Sequence, residues 1–201
     1  MALGRRGRGF FEKAAAPVVN GLAKTGISPN SLTVLGLLLT GTSLPCYWLA
    51  RETPVYFVLA ALALALGGFL DGLDGLVART LGKQTAFGAF LDSFTDRISD
   101  SLVAAGFMLS GAVDPYLALT MLTAMMLVSY ARARAESLNV ELKNVGIGER
   151  AVRIIAAILG TLLAFISPSI LFYTGVFITA VSIVTVAQRF IAVSSALSGK
   201  R

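Results

Sequence analysis

Asp71, Asp74, Asp92 and Asp96 stand in the run DGLDGLVARTLGKQTAFGAFLDSFTD, inside a chain that is otherwise strongly apolar. A carboxylate at the edge of a membrane is costly, so four together require a compensating partner. Asp71 and Asp74 are three residues apart and Asp92 and Asp96 are four apart, so each pair faces one way on a helix. Two such helices side by side bring four negative oxygen donors to one spot. Like charges held that close oppose each other's ionisation unless cations neutralise them. Hard divalent ions such as Mg²⁺ prefer all-oxygen sites, and Mn²⁺ accepts the same octahedral ligation. Two divalent ions balance four carboxylates. Such ions near a lipid surface point to phosphoryl chemistry, where they polarise a pyrophosphate and stabilise a leaving phosphate. Gly72 and Gly75 put hydrogen in place of side chains beside the acids, which lets a ligand approach closely. Arg79 follows where a guanidinium can meet phosphate oxygens bidentately.

The elements that must position these residues are membrane helices. The chain has 201 residues, 56% of them hydrophobic and 14% charged, with a mean hydropathy of +0.78. That is the profile of an integral membrane protein, and one polytopic domain over 1–201 fits the length. Six apolar stretches approach the roughly 20 residues a membrane helix needs. They run over Leu32–Ala50, Val55–Leu70, Ala86–Ser110, Tyr116–Ala133, Ala151–Ile166 and Ile170–Phe190. Turn signals separate three pairs of them: Arg51-Glu52-Thr53-Pro54, Val113-Asp114-Pro115 and Ser167-Pro168-Ser169. The N-terminal segment 1–27 is too polar for a cleaved signal. Phe10, Phe11, Ala14, Val18, Val19 and Leu22 form one apolar side with Lys13 and Lys24 toward water. This predicts a juxtamembrane helix on the membrane surface, kinked or restarted at Pro17. The expected fold is therefore all-α: six transmembrane helices preceded by an interfacial one.

Basic residues set the orientation. The N-terminus, the 71–97 region, the 132–153 region and the C-terminus hold 16 of the 17 Lys and Arg residues, and the short loops between them hold only Arg51. By the positive-inside rule both termini and the aspartates face the cytoplasm of a multi-pass protein of the cell membrane. The pI of 9.8 follows from this asymmetry and suits an anionic leaflet, so nucleic-acid binding is not needed to explain it. The chain lacks histidine, the commonest general base, so proton transfer falls to a carboxylate, a lysine or a tyrosine. Cys46 is the single cysteine, which excludes an intrachain disulfide.

The run D71-x2-D74-G75-x2-A78-R79-x8-G88-x3-D92-x3-D96 resembles the signature of the CDP-alcohol phosphotransferases, matching all eight fixed positions. An isolated DxxDG is explained as well by helix packing; the complete signature is not. The resemblance implies a membrane enzyme that joins an alcohol to a lipid phosphate and displaces CMP from a CDP-activated lipid. It implies that Asp71, Asp74, Asp92 and Asp96 hold two Mg²⁺ ions and that Asp96 also accepts the proton of the incoming hydroxyl. Gly75, Arg79 and Thr85 match positions that contact the CDP portion. Asn30, Ser31, Leu32 and Thr33, in SPNSLT, resemble the cytidine-side approach to the first membrane helix, with Asn30 where related enzymes often carry Asp. A homodimer is implied as well. Asp100 falls outside the signature, and Arg97 is its expected partner.

The acceptor is read from the second half of the chain. SYARARAE, GERAVR and VAQR place Arg132, Arg153 and Arg189 on three helices at one level. Each alone satisfies the positive-inside rule. Converging together, they make a pocket for a second anionic group, such as the phosphate of a phosphorylated acceptor. The three segments resemble those of phosphatidylinositol-phosphate and archaetidylinositol-phosphate synthases, which implies inositol 1-phosphate as the acceptor. Arg132 stands where the actinobacterial enzymes have Lys, and GERAVR replaces ERPER. Glycerol 3-phosphate is the alternative acceptor. A divalent-cation carrier is the alternative class, but it leaves Gly75, Arg79 and Gly88 unexplained.

Overall fold

The computed structural model describes residues 15–19, 21–22, 26–142 and 145–199. Among these residues every regular element is helical: α1 (Pro29–Gly41), α2 (Ser43–Leu49), α3 (Val55–Thr80), α4 (Ala86–Leu109), α5 (Pro115–Ser137), α6 (Arg150–Leu163) and α7 (Ser169–Ser198). Four apolar stretches become helices long and apolar enough to cross a membrane: Pro29–Leu49, Val55–Thr80, Pro115–Ser137 and Ser169–Ser198. The chain is a multi-pass membrane protein. Large apolar side chains such as Leu38, Leu62, Leu119, Phe177 and Ile183 remain exposed along these helices, as lipid-facing surfaces require. α4 is 24 residues long but carries Asp92, Asp96, Arg97 and Asp100, and α6 has only 14 residues, so neither meets the same measure.

Local sequence explains where the helices stop. Pro45 has no N–H for the Gly41 carbonyl, which accounts for the break between α1 and α2. Gly82, at φ +62°, ends α3: its N–H donates to the Arg79 carbonyl at 3.3 Å and Lys83 N–H to Ala78 at 2.9 Å. Thr85 then caps α4, its Oγ1 accepting from Gly88 N–H at 2.9 Å. Asp114 caps α5 by accepting from Tyr116 N–H at 2.9 Å and Leu117 N–H at 3.1 Å, with Pro115 in the first turn.

The helices form two compact units. The first comprises the N-terminal residues through Gly41 and Ala63–Ser99, and so contains α1, most of α3 and the start of α4. Its apolar cluster is Ala15, Val19, Leu32, Leu73 and Val77, bordered by Leu22, Ile27 and Leu70. Gly36 and Gly67 let α1 and α3 touch: a Cβ on Gly67 would stand 2.7 Å from the Gly36 carbonyl oxygen. The expected interfacial helix is described in part, since residues 15–19 and 21–22 are helical, with Pro17 among them. Its buried side is Ala15, Val19 and Leu22, an i, i+4, i+7 stripe, whereas Val18 points outward. Phe10, Phe11, Lys13, Ala14 and Lys24 lie outside the described residues.

The second unit comprises Thr42–Leu62 and Asp100–Arg201. Within it α5 and α6 both pack along α7. Tyr47 is fully buried between the edges of Phe57 and Phe107, its hydroxyl 2.5 Å from Thr161 Oγ1. Burying a phenol in an apolar interior requires such a partner.

Candidate functional site

The first unit gathers the aspartates. Asp71 and Asp74 share one side of α3, and Asp92 lies on the first half of α4. One carboxylate oxygen from each of the three lies within 4.8 Å of the others. Metal–oxygen distances of about 2.0–2.6 Å put two ligands of one hard cation about 3–5 Å apart, so the donor set fits a divalent ion. Asp74 is buried, and its carboxylate is anchored twice: Thr33 Oγ1 donates to Oδ2, and Gly75 N–H donates to Oδ1. These bonds fix the direction in which Asp74 faces Asp71 and Asp92.

Asp96 lies one turn further along α4, outside that group of three. Its Oδ2 accepts from Arg97 Nη2 at 3.1 Å. This settles the partner of Asp100 differently from the sequence expectation. Arg97 engages Asp96, while Asp100 Oδ2 accepts from Arg153 Nη2 at 3.1 Å. The reason is burial. Asp100 is only 6% exposed and demands an equally buried cation, and Arg153 at 3% exposure supplies it, whereas the Arg97 side chain is 30% exposed.

Of the other residues expected at the donor side, Thr33 and Gly75 bond Asp74 directly. Arg79 is exposed and folds back over Gly75, where an added Cβ would be 3.5 Å from Nη1. A Cβ on Gly88 would be 3.1 Å from Thr85 Oγ1 and 3.2 Å from Asn30 Oδ1, so the glycine admits both polar groups. Ser31 is exposed and its Oγ lies 2.8 Å from Ser28 Oγ. Leu32 turns the other way, into the apolar cluster, at 2% exposure. Thr33 and Thr85 thus have structural bonds of their own, to Asp74 and to the start of α4. Gly36 and Gly67 escaped the sequence reading. The signal was the small-residue spacing Gly36-x3-Thr40 on α1, against which Gly67 of α3 packs.

The second unit carries the three arginines, on α5, α6 and α7. Arg132 and Arg153 both lie near enough to Arg189 to act on it electrostatically. Arg132 is exposed, with Nε donating to Glu136 Oε1 at 2.9 Å. Arg189 is buried, with Nη1 donating to the Val128 carbonyl at 2.5 Å and Nε to Val145 at 3.1 Å. Three cations in one neighbourhood attract an anion; two of them are already oriented by backbone oxygens.

Known proteins resemble this chain in sequence and in fold. Residues 26–193 match the CDP-alcohol phosphatidyltransferase family. The archaetidylinositol phosphate synthase of Pyrococcus horikoshii is 38% identical over 169 residues, 84% of this chain and 84% of that protein. The crystal structure of Mycobacterium tuberculosis phosphatidylinositol phosphate synthase with CDP-DAG bound is similar with a TM-score of 0.77 at 28% identity, covering 90% of this chain and 94% of that one. The same enzyme in complex with manganese and citrate also gives 0.77, over 88% and 87% of the two chains. The eight-position aspartate signature therefore sits in its family context, and this chain belongs to the CDP-alcohol phosphatidyltransferases as one of their enzymes.

Proposed function

We propose that this enzyme transfers a phosphatidyl-type group from a CDP-activated lipid, CDP-archaeol or CDP-diacylglycerol, to the hydroxyl of inositol 1-phosphate. CMP is the other product. The observation that carries this reading is the approach of Asp71, Asp74 and Asp92 to within 4.8 Å in a chain with the full signature. The archaeal relative's name supports the acceptor, and the CDP-DAG complex of the mycobacterial enzyme supports the donor.

In this reading Asp71, Asp74, Asp92 and Asp96 hold two Mg²⁺ ions, for which Mn²⁺ can substitute. Bound there, the ions supply charge neutralisation and polarisation of the pyrophosphate. Asn30, Ser31, Leu32, Thr33, Gly75, Arg79 and Thr85 form the donor side, with Arg79 taking phosphate oxygens. Asp96 accepts the proton as the acceptor's hydroxyl oxygen bonds to the lipid-side phosphorus, and the bond from that phosphorus to CMP breaks. Arg132, Arg153 and Arg189 receive the acceptor's own phosphate. The whole of 1–201 acts as one membrane domain with six spans, α4 and α6 crossing as well as the four more apolar stretches. Both termini and the site face the cytoplasm, and the protein works as a homodimer.

Purified protein given a CDP-lipid and a panel of alcohols tests this directly. CMP release with inositol 1-phosphate, abolished by chelator, is the expected result. Turnover with glycerol 3-phosphate alone would replace the acceptor assignment.

A further inference from the structure

Arg153 is held more closely than anion binding alone requires. Its Nη2 donates to Asp100 at 3.1 Å, and its Nη1 donates to the Gly148 carbonyl at 2.8 Å. That carbonyl is itself fixed. Gly148 N–H donates to Thr185 Oγ1 at 2.7 Å, and a Cβ at Gly148 would stand 2.6 Å from the Val181 carbonyl oxygen, so the loop lies against the backbone of α7. Ile147 N–H donates to Gln188 Oε1 at 3.2 Å in the same stretch. One immobile acceptor on α4 and another ahead of α6 therefore set the direction of the guanidinium.

A buried ion pair is a poor device for merely joining helices, because apolar residues of equal volume do that as well or better. What it provides is a defined geometry and a local charge balance. Arg132 and Arg153 both repel Arg189, a repulsion that Glu149 and Glu136, the latter bonded to Arg132, offset in part before any acceptor arrives. A carboxylate bonded to one of them offsets that repulsion without covering the other two.

We propose that Asp100 is a positioning residue for the acceptor: acting through Arg153, it presents the guanidinium in the orientation that receives the acceptor's phosphate. This rests on the acceptor role given to Arg153 above. Steady-state kinetics of the full-length protein with a CDP-lipid and inositol 1-phosphate test it. Asp100→Asn keeps the shape and removes the charge. Its acceptor KM should rise about 10- to 100-fold, the scale on which a misplacement of about 1 Å acts. Its kcat and the KM for CDP-lipid should stay near wild type. Asp100→Asn combined with Arg153→Ala should be no worse than Arg153→Ala alone, as expected for residues acting as one unit. An unchanged acceptor KM, or penalties that simply multiply, would overturn the role of Asp100.

Arg153→Ala measured alongside separates the two claims. A wild-type acceptor KM in that variant removes the acceptor role of Arg153 itself. A raised KM there with a wild-type KM in Asp100→Asn removes only the positioning role. Should Asp100→Asn fail to fold, Thr185→Val loosens the Gly148 carbonyl instead. It should raise the acceptor KM in the same sense, and no rise would count against the proposal.

Discussion

Asp96 differs from the other three acids in its surroundings as well as its assigned role. Asp71, Asp74 and Asp92 face one another, whereas Asp96 engages Arg97 on its own helix. A base must be within reach of the proton it takes, and Asp96 stands one helical turn beyond Asp92 on α4. Asp96→Asn should therefore bind CDP-lipid nearly normally and lose turnover by about 10²–10⁴-fold, the usual contribution of a general base. Single-turnover CMP release checks this, and survival of turnover within about tenfold would deny Asp96 that role. Spacing made the acids legible at this scale, because three- and four-residue separations dictate a shared helix face. The partner of Asp100 was not legible. Arg97 is nearer in sequence, but the burial that selects Arg153 is a property of packing.

At the scale of elements, hydropathy located the four long apolar helices among the described residues, and a turn signal marked the start of α5. Asp114-Pro115 starts α5 for the reason its chemistry gives, whereas α3 runs on to Thr80, past the apolar stretch that ends at Leu70, and stops at Gly82. The break between α1 and α2 was readable in principle from Pro45 but is hidden inside an apolar run that looks continuous. The close approach of α1 to α3 was equally hidden, since small residues give no hydropathy signal. It matters because Thr33 on α1 bonds Asp74 on α3, so the helix spacing sets the carboxylate. Gly67→Ala puts a methyl 2.7 Å from the Gly36 carbonyl oxygen. Forcing the helices apart should cost about 1–3 kcal/mol and lower both the melting temperature and the activity. A variant with wild-type values on both measures would show that the contact is not under constraint.

For the whole molecule, charge is the organising quantity. The net charge is +6, and the basic residues are gathered at one end of the apolar spans as the sequence is read. Orientation in a bilayer was argued from that asymmetry alone. With Cys46→Ser as background, a membrane-impermeant maleimide applied to intact cells should label Glu52→Cys and leave Ser198→Cys untouched until the cells are opened. The reverse pattern would turn the protein over and put the aspartates on the far side. The composition made the membrane class plain, and the signature made the family plain. The arginine group was only half legible, because its members were visible while the bonds that orient them, from Asp100, Gly148, Val128 and Val145, depend on long-range packing.

The central claim is that Asp71, Asp74 and Asp92 share divalent cations, and crystals of the protein grown with manganese test it most directly. Anomalous scattering should place manganese within ligand distance of all three carboxylates and lose that density in Asp74→Asn. Manganese bound elsewhere, or density unchanged by that substitution, would contradict it.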